Sequence, residues 1–309
     1  MGSPAEPPMH RPTVPAADRL IGVKHPVLSH GYVVLVDYMG NDSAIVQAAR
    51  VSYGAGTKSV RDDRGLIRYL MRHRHTTPFE MVEFKFLIRL PIYVARQIVR
   101  HRMVSINEYS ARYSIIPDEF DLPPPEDIRR QSTRNRQGRE EPLPLPEAEA
   151  FRSDLERLSR EAYSAYTRAL EQGVAREIAR LVLPLAYYTE WYWKVDLHNL
   201  FHFLSLRLDA HAQEETRRYA AEMAKIARVV CPVAYEAFEE FTLEGVELSQ
   251  REQVALRSLL DGATPEVACA KAGLRLARED GAPLKTGEGV EFLEKLARIR
   301  AAADLGANG

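Results

Sequence analysis

RHRMVSINEYSARYS, residues 100–114, sets Arg100, His101 and Arg102 side by side and follows them with Ser105, Asn107, Glu108, Ser110, Arg112 and Tyr113. Met103, Val104 and Ile106 are its only clearly apolar residues, too few to make a buried face. Such a run is either a solvated loop or a polyanion site. Guanidinium forks match phosphate oxygens bidentately. Ser, Asn and backbone N–H groups can complete the oxygen-binding shell. Composition alone leans towards the loop and leaves both readings open.

The flanks supply a scaffold. PIYVARQIVRHR (91–102) reads as a helix with Ile92, Ala95, Ile98 and Val99 inward and Arg96, Gln97, Arg100 and His101 opposite. Pro91 fits its first turn, where a missing N–H costs nothing. The polar run thus starts at a helix end and continues as a loop. MVEFKFLIRL (81–90) alternates, with Val82, Phe84, Phe86, Ile88 and Leu90 on one face, as in a half-buried strand. HGYVVLVDYMG (30–40) reads as a strand, with Asn41, Asp42 and Ser43 as helix-cap candidates. RDDRGLIRYLMRHRH (61–75) reads as an amphipathic helix with Leu66, Ile67, Leu70 and Met71 inward.

Downstream, seven prolines in residues 117–147 mark an excursion or mobile loop rather than a core element. Residues 149–173 read as a long helix stopped by Gly173, and 174–184 as a second stopped before Pro184. LAYYTEWYWKV (185–195) alternates like a strand, and 197–230 reads as one or two helices. The fold class is α+β, a mixed sheet packed with long helices and carrying a C-terminal helical extension.

A chain of 309 residues with 45% apolar residues can bury a sizeable core. Its net charge of −1 demands neither nucleic acid nor membrane, and no apolar run approaches the length of a membrane span. The Pro-rich residues 1–25 lack a secretory apolar segment and read as a disordered leader. Two cysteines, Cys231 and Cys269, make no disulfide framework and suit a reducing, cytoplasmic compartment. The tail 245–309 holds a capping box at Ser249 and Glu252 and a Thr264–Pro265 helix start, a helix-turn-helix pattern. Its nine Lys or Arg against ten Asp or Glu argue against a DNA reader and for a helical appendage.

The run 100–114 resembles RHRxxSxNxxSxRY, the signature of the flavin-dependent thymidylate synthases, or thymidylate synthase-complementing proteins, at every fixed position. HRHTTPFEMVEF (73–84), residues 177–215 and GNDSAIVQAARVSYG (40–54) resemble other elements of that family, so the likeness extends from about Tyr32 to Glu240. The resemblance implies that family's fold over a catalytic domain at 26–244. It also implies reductive methylation of dUMP to dTMP, with 5,10-methylenetetrahydrofolate as one-carbon donor and NADPH reducing FAD. The family is homotetrameric, with active sites shared between chains.

Carried over by motif, the dUMP contacts are Gln97, Ile98, Val99, Arg100, Glu108, Tyr109, Ser110, Ala111, Arg112, Arg180 and Arg207. Ser110 and Arg112 would hold the phosphate. Arg207 would polarise the pyrimidine and is the catalytic candidate; its structural alternative is an ion pair with Glu190 or Asp209. The FAD contacts implied are Thr77, Arg100, His101, Arg102, Glu108, Asp196, Leu197, His198 and His202. Asp196 departs from the asparagine many members carry. His198 and His202 have metal-ligand spacing and His211 could be a third ligand, but HNLFH lacks the glutamate of H-E-x-x-H and no Cys or carboxylate lies at a useful spacing, so no metal is expected. Neither cysteine has a neighbouring cation to make it a nucleophile, in keeping with a reaction in which flavin supplies hydride. A regulator that binds nucleotide or nucleic acid without turnover is the alternative from another class.

Overall fold

The computed structural model describes residues 11–51, 63–133 and 138–306. In chain order these form α1 (Pro15–Asp18), β1 (Lys24–Val27), β2 (Gly31–Met39), α2 (Asp42–Val51), α3 (Asp63–Arg72), β3 (Glu83–Pro91), α4 (Ile92–Ile98) and β4 (Ser105–Glu108). Then follow β5 (Arg129–Gln131), β6 (Arg139–Pro142), α5 (Leu145–Glu171), α6 (Arg176–Ala179), β7 (Tyr188–Asp196), α7 (Leu197–Arg207), α8 (Glu214–Val230), α9 (Pro232–Phe238), α10 (Gln250–Leu260), α11 (Pro265–Lys271) and α12 (Glu288–Gly306). The chain divides into two units. The first comprises residues up to Gln131 together with Gly138–Leu243, and the second comprises 132–137 and the segment from Glu244 onward.

In the first unit a five-stranded sheet has the order β1-β2-β3-β7-β4, every neighbouring pair antiparallel. The alternation read in 81–90 is its core face: Val82, Phe84, Phe86, Ile88 and Leu90 are fully buried. Across the β3–β7 register, Phe86 faces Trp193 and Ile88 faces Trp191. Helices α7, α8 and α9 supply Leu200, Phe203, Met223 and Phe238 to the same core. Each such side chain contributes about 1.5–3 kcal/mol when fully buried. Gly31 is required where β2 begins, because a Cβ there would run into the Tyr219 hydroxyl and lie 2.6 Å from the Val27 carbonyl oxygen. A smaller core, with Ile116, Phe120, Tyr166, Ala179 and Tyr187, sits beneath α5.

The second unit has a core of its own: Ala255, Ala268, Cys269, Leu274, Phe292 and Leu296. The expected capping box is formed, with Ser249 and Glu252 satisfying each other's backbone N–H groups. Thr264 caps α11 through Val267 N–H.

Several expectations are corrected. Residues 1–10 of the leader lie outside the described residues, but 11–25 are not a disordered strand of chain: Pro15 opens α1, Ala17 is buried and β1 begins at Lys24. The Tyr38 hydroxyl ties this segment down by donating to Asp18 at 2.5 Å. The Pro-rich stretch is not wholly an excursion. Phe120 bridges to Tyr187, Asp121 N–H donates to the Ala186 carbonyl at 2.9 Å, and β5 pairs with β6. Residues 134–137 of it, 61–62 of the first predicted helix and 52–54 of the N-terminal motif lie outside the described residues. The helix expected over 174–184 is the single turn α6 followed by a 3-10 turn, Arg180–Val182. The signature is not all loop, because Ser105–Glu108 pairs with β7. Pro91 ends β3 and caps α4 rather than entering its first turn. Val99, expected inward, is 38% exposed.

Candidate active site

Helix α4 leaves β3 directly, and its first N–H groups would be orphaned by the helical pattern. Ile92 N–H instead donates to the Tyr187 carbonyl at 2.9 Å and Tyr93 N–H to that of Leu185 at 3.1 Å. The helix is thereby fixed against the start of β7. On one stripe it turns Ile92, Ala95, Arg96 and Val99 into a cleft of about 840 Å³.

The turn after β4 forms another wall, with Glu108, Tyr109, Ser110, Ala111 and Arg112. It is pinned to β7, since Tyr109 N–H donates to the Glu190 carbonyl at 2.8 Å and Thr189 Oγ1 donates to Glu108 Oε1 at 2.7 Å. Arg112 turns back so that its N–H and Nε face Ser110 Oγ at 3.4 and 3.5 Å. The facing wall is the 3-10 turn with Arg180 and Leu181, followed by Leu183 and Leu185. Arg176 Nη1 donates to the Tyr113 carbonyl at 2.6 Å and joins this wall to the signature turn. Behind the cleft, Asp121 is 3% exposed and accepts from Tyr93 OH at 2.7 Å, Tyr188 OH at 3.1 Å and Ser29 Oγ at 3.2 Å.

A second cluster lies on another side of α4. Gln97 Oε1 accepts from Thr216 Oγ1 at 2.8 Å, and its Nε2 donates to Gln213. Arg207 Nη2 donates to the Gln97 carbonyl at 3.5 Å, while its Nε is buried without a partner. The ion pairs considered for Arg207 are absent among the described residues: Glu190 accepts from Tyr32 OH and Asp209 pairs with His211. His101, 7% exposed, lies tilted against His202 at 5.6 Å and edge-on to Phe203 at 5.5 Å between ring centroids, and its Nε2 is also unpartnered. Burial pushes the His101 imidazole below its usual value, with His202 and Arg207 adding in the same direction. Arg100, Arg102, Thr77 and His202 are exposed, and His198 is half-buried. These orphaned buried nitrogens, beside exposed cations, suit a group rich in acceptor oxygens, as a flavin dinucleotide is.

The cleft therefore collects Val99, Glu108, Tyr109, Ser110, Ala111, Arg112 and Arg180. Gln97, Arg100 and Arg207 are not on its wall, and Ile98 and Leu197 are buried in the core. Asp196 is committed to α7: Oδ1 accepts from Asn199 N–H at 2.9 Å and Oδ2 from Asn199 Nδ2 at 2.7 Å. Ile92, Arg96, Thr189 and Trp191 also line the cleft, although the motif does not include them. Helical spacing from Val99 back to Arg96 and Ile92 carried the signal. Both thiols are buried and pushed up, chiefly by burial, with Asp42 adding at Cys231 and Glu266 at Cys269. Among the described residues no group of three or more His, Cys, Asp or Glu could hold a metal ion, and no helix is long and apolar enough to cross a membrane.

The sequence profile of the thymidylate synthase complementing protein family matches residues 34–233. A flavin-dependent thymidylate synthase of Thermus thermophilus is 59% identical over 242 residues, covering 78% of this chain and 87% of that one. One from Ruegeria pomeroyi is 52% identical over 259 residues, covering 82% and 86%. Among solved structures, a UMP/dUMP methylase, PolB, from Streptomyces cacaoi bound with 5-Br dUMP superposes with a TM-score of 0.63. It is 36% identical and covers 71% of this chain and 99% of its own.

Proposed function

The chain belongs to the thymidylate synthase complementing protein family, and from that premise we infer that it is a flavin-dependent thymidylate synthase, an FAD-dependent methyltransferase that makes dTMP from dUMP. The observation that carries this reading is the cleft: Glu108–Arg112 of the signature faces Arg180 across a space of nucleotide size, with guanidinium groups that pair with no carboxylate among the described residues. In this reading 5,10-methylenetetrahydrofolate gives the carbon and NADPH the reducing equivalents, in the cytoplasm. Residues 26–244 act as the catalytic domain and the tail as a helical extension with no nucleic-acid partner.

Ser110, Arg112 and Arg180 hold the 5′-phosphate. Arg207 donates to the pyrimidine edge, where a planar fork can serve adjacent acceptors and a cation favours the polarised ring. Arg100, His101, Arg102, His198 and His202, with Thr77 and Glu108, hold FAD, which supplies the hydride when bound. Both Asp196 side-chain oxygens already cap α7, so that position would reach FAD through its backbone and that of Leu197. With both thiols buried and protonated, activation of the pyrimidine falls to Arg207 and its hydrogen bonds rather than to cysteine attack.

The nucleotide residues divide between the cleft and the Gln97–Arg207 cluster within one chain. That division supports a homotetramer in which each site is completed by a second copy. The test is incubation of purified protein with dUMP, 5,10-methylenetetrahydrofolate and NADPH, with dTMP read by chromatography and flavin by absorbance. dTMP formation that stops when any one of the three is omitted is expected. A folded, flavin-free protein that forms no dTMP on addition of FAD would end this reading and favour a binding protein without turnover.

A further inference from the structure

We propose that Arg96 is a third arm of the phosphate cradle, through which helix α4 itself grips the 5′-phosphate of the nucleotide. The proposal rests on the nucleotide reading of the cleft. Arg96, Arg112 and Arg180 are the guanidinium groups on its wall. Arg112 Nε reaches Ser110 Oγ at 3.5 Å, and Arg180 Nε reaches the Glu177 carbonyl at 3.3 Å. The Arg96 guanidinium makes no hydrogen bond or ion pair to any described residue. Glu108 is the wall's carboxylate, and Thr189 already donates to it.

The wall thus carries two positive charges more than negative, the charge that a phosphate dianion balances. A phosphate monoester carries about −1.5 to −2 at neutral pH. Arg112 and Arg180 alone, with Glu108 beside them, would leave that charge under-compensated. Arg96 closes the difference.

Its direction follows from the helix. Successive residues turn by about 100°, so Gln97 points to Gln213 and Thr216 while Arg96 shares the cleft stripe with Ala95 and Val99. Ala95 beside it has no bulk to obstruct a ligand. Apolar Ile116, Leu183 and Leu185 on the other walls lower the local dielectric and strengthen attraction to an anion. Three unpaired cations facing one cleft repel each other, and a bound phosphate relieves that repulsion. An exposed arginine elsewhere on α4 would gain nothing of the kind.

The experiment uses the full-length, FAD-loaded protein and its Arg96→Ala and Arg96→Lys variants, each checked by flavin spectrum and melting. Binding of dUMP and of deoxyuridine, which lacks the phosphate, is measured by calorimetry. Arg96→Ala should weaken dUMP about ten- to a hundred-fold, the range of one charge-assisted hydrogen bond, and leave deoxyuridine as weak as in the parent. Arg96→Lys should recover part of the loss, keeping charge without the fork. In turnover the loss should fall on KM for dUMP rather than on kcat, because a phosphate contact is equal in ground and transition states. Equal weakening of dUMP and deoxyuridine overturns the proposal. So does an unchanged dUMP affinity with a raised KM for the folate, which would assign Arg96 to the second substrate's carboxylates. A parent protein that binds no dUMP at all removes the nucleotide reading, and this proposal with it.

Discussion

Replacing Asp121 by alanine should destabilise the protein by about 3 kcal/mol, and a second substitution should return part of that loss. Asp121 accepts three hydroxyls from three separate parts of the chain: Ser29 between β1 and β2, Tyr93 on α4 and Tyr188 at the start of β7. Hydrogen bonds to a charged acceptor contribute roughly 1.5–3 kcal/mol each, and a buried hydroxyl left without a partner costs about 1–3 kcal/mol. The three losses are unequal. Ser29 Oγ and Tyr188 OH lie 3.2 Å apart and can bond each other, and Tyr188 OH also accepts from His30 N–H at 3.3 Å. Tyr93 OH has Asp121 as its acceptor. The main cost of Asp121→Ala is therefore the orphaned Tyr93 hydroxyl, partly offset by releasing a carboxylate from burial. With a urea slope near 2.5 kcal/mol per molar, within the range of about 1–3 for small proteins, the midpoint should fall by about 1.2 M. Asp121→Asn keeps an acceptor for Ser29 and Tyr188 and should cost only about 1 kcal/mol. Adding Tyr93→Phe to Asp121→Ala removes the orphan, so the double variant should be more stable than the single one by about 1 kcal/mol or more. A double variant no more stable than Asp121→Ala would refute the assignment of the cost to Tyr93.

Three further outcomes are expected. Burial, with Asp121 nearby, pushes the hydroxyls of Tyr93, Tyr188 and Tyr219 well above their usual value, and burial with Glu190 pushes Tyr32 up to about 12; their contribution is complete below about pH 10, where unfolded tyrosine titrates, and is lost as pH rises towards the folded values, so urea midpoints should fall steeply above pH 10, and a flat profile there would contradict the burial argument. Cys231→Ala combined with Cys269→Ala should cost about 1–2 kcal/mol in packing yet keep dTMP synthesis, whereas a folded but inactive double variant would require a cysteine in the chemistry. Burial alone would raise the Glu252 carboxyl, but hydrogen bonds from Lys295 at 2.8 Å and from Ser249 bring it below the usual range, so its contribution is present above about pH 4.3 and lost as pH falls through the depressed value; Glu252→Ala should cost about 1.5–3 kcal/mol, read as faster amide exchange across α10, and unchanged exchange would show the pair to be idle.

What the sequence made legible follows from which forces are local. The alternation of residues 82–90 needs only one apolar layer behind the strand, and it matches the buried set residue for residue. Residues 105–108 carry no such pattern. They become β4 because β7 offers backbone partners about eighty residues later, a long-range fact. Phe120 and Asp121 looked like loop because prolines surround them, while their burial depends on Tyr187, Tyr93 and Tyr188. At the site, the motif named the residues of the cleft turn, and the geometry gathers them. The stretch Gln97 to Arg100, continuous in the motif, is divided in space. A helix points neighbouring residues in different directions, sending Val99 to the cleft, Ile98 to the core and Gln97 to α8.

The edge position of β4 has a consequence for how occupancy of the cleft can be sensed. Among the described residues, Ser105–Glu108 is the last strand of the sheet and bonds to β7 on one side only. Its shortness and its Ser, Asn and Glu side chains discourage another chain from adding there. They also let it open without parting β3 from β7, at a free energy well below that of global unfolding. The signature turn that follows β4 shares this local opening, since Tyr109 is tied to the same strand. In the proposed function a nucleotide in the cleft would bridge that turn to Arg180 on the opposite wall. Binding would therefore slow amide exchange at Asn107–Arg112 while β3, already protected to the limit of the fold, stays silent.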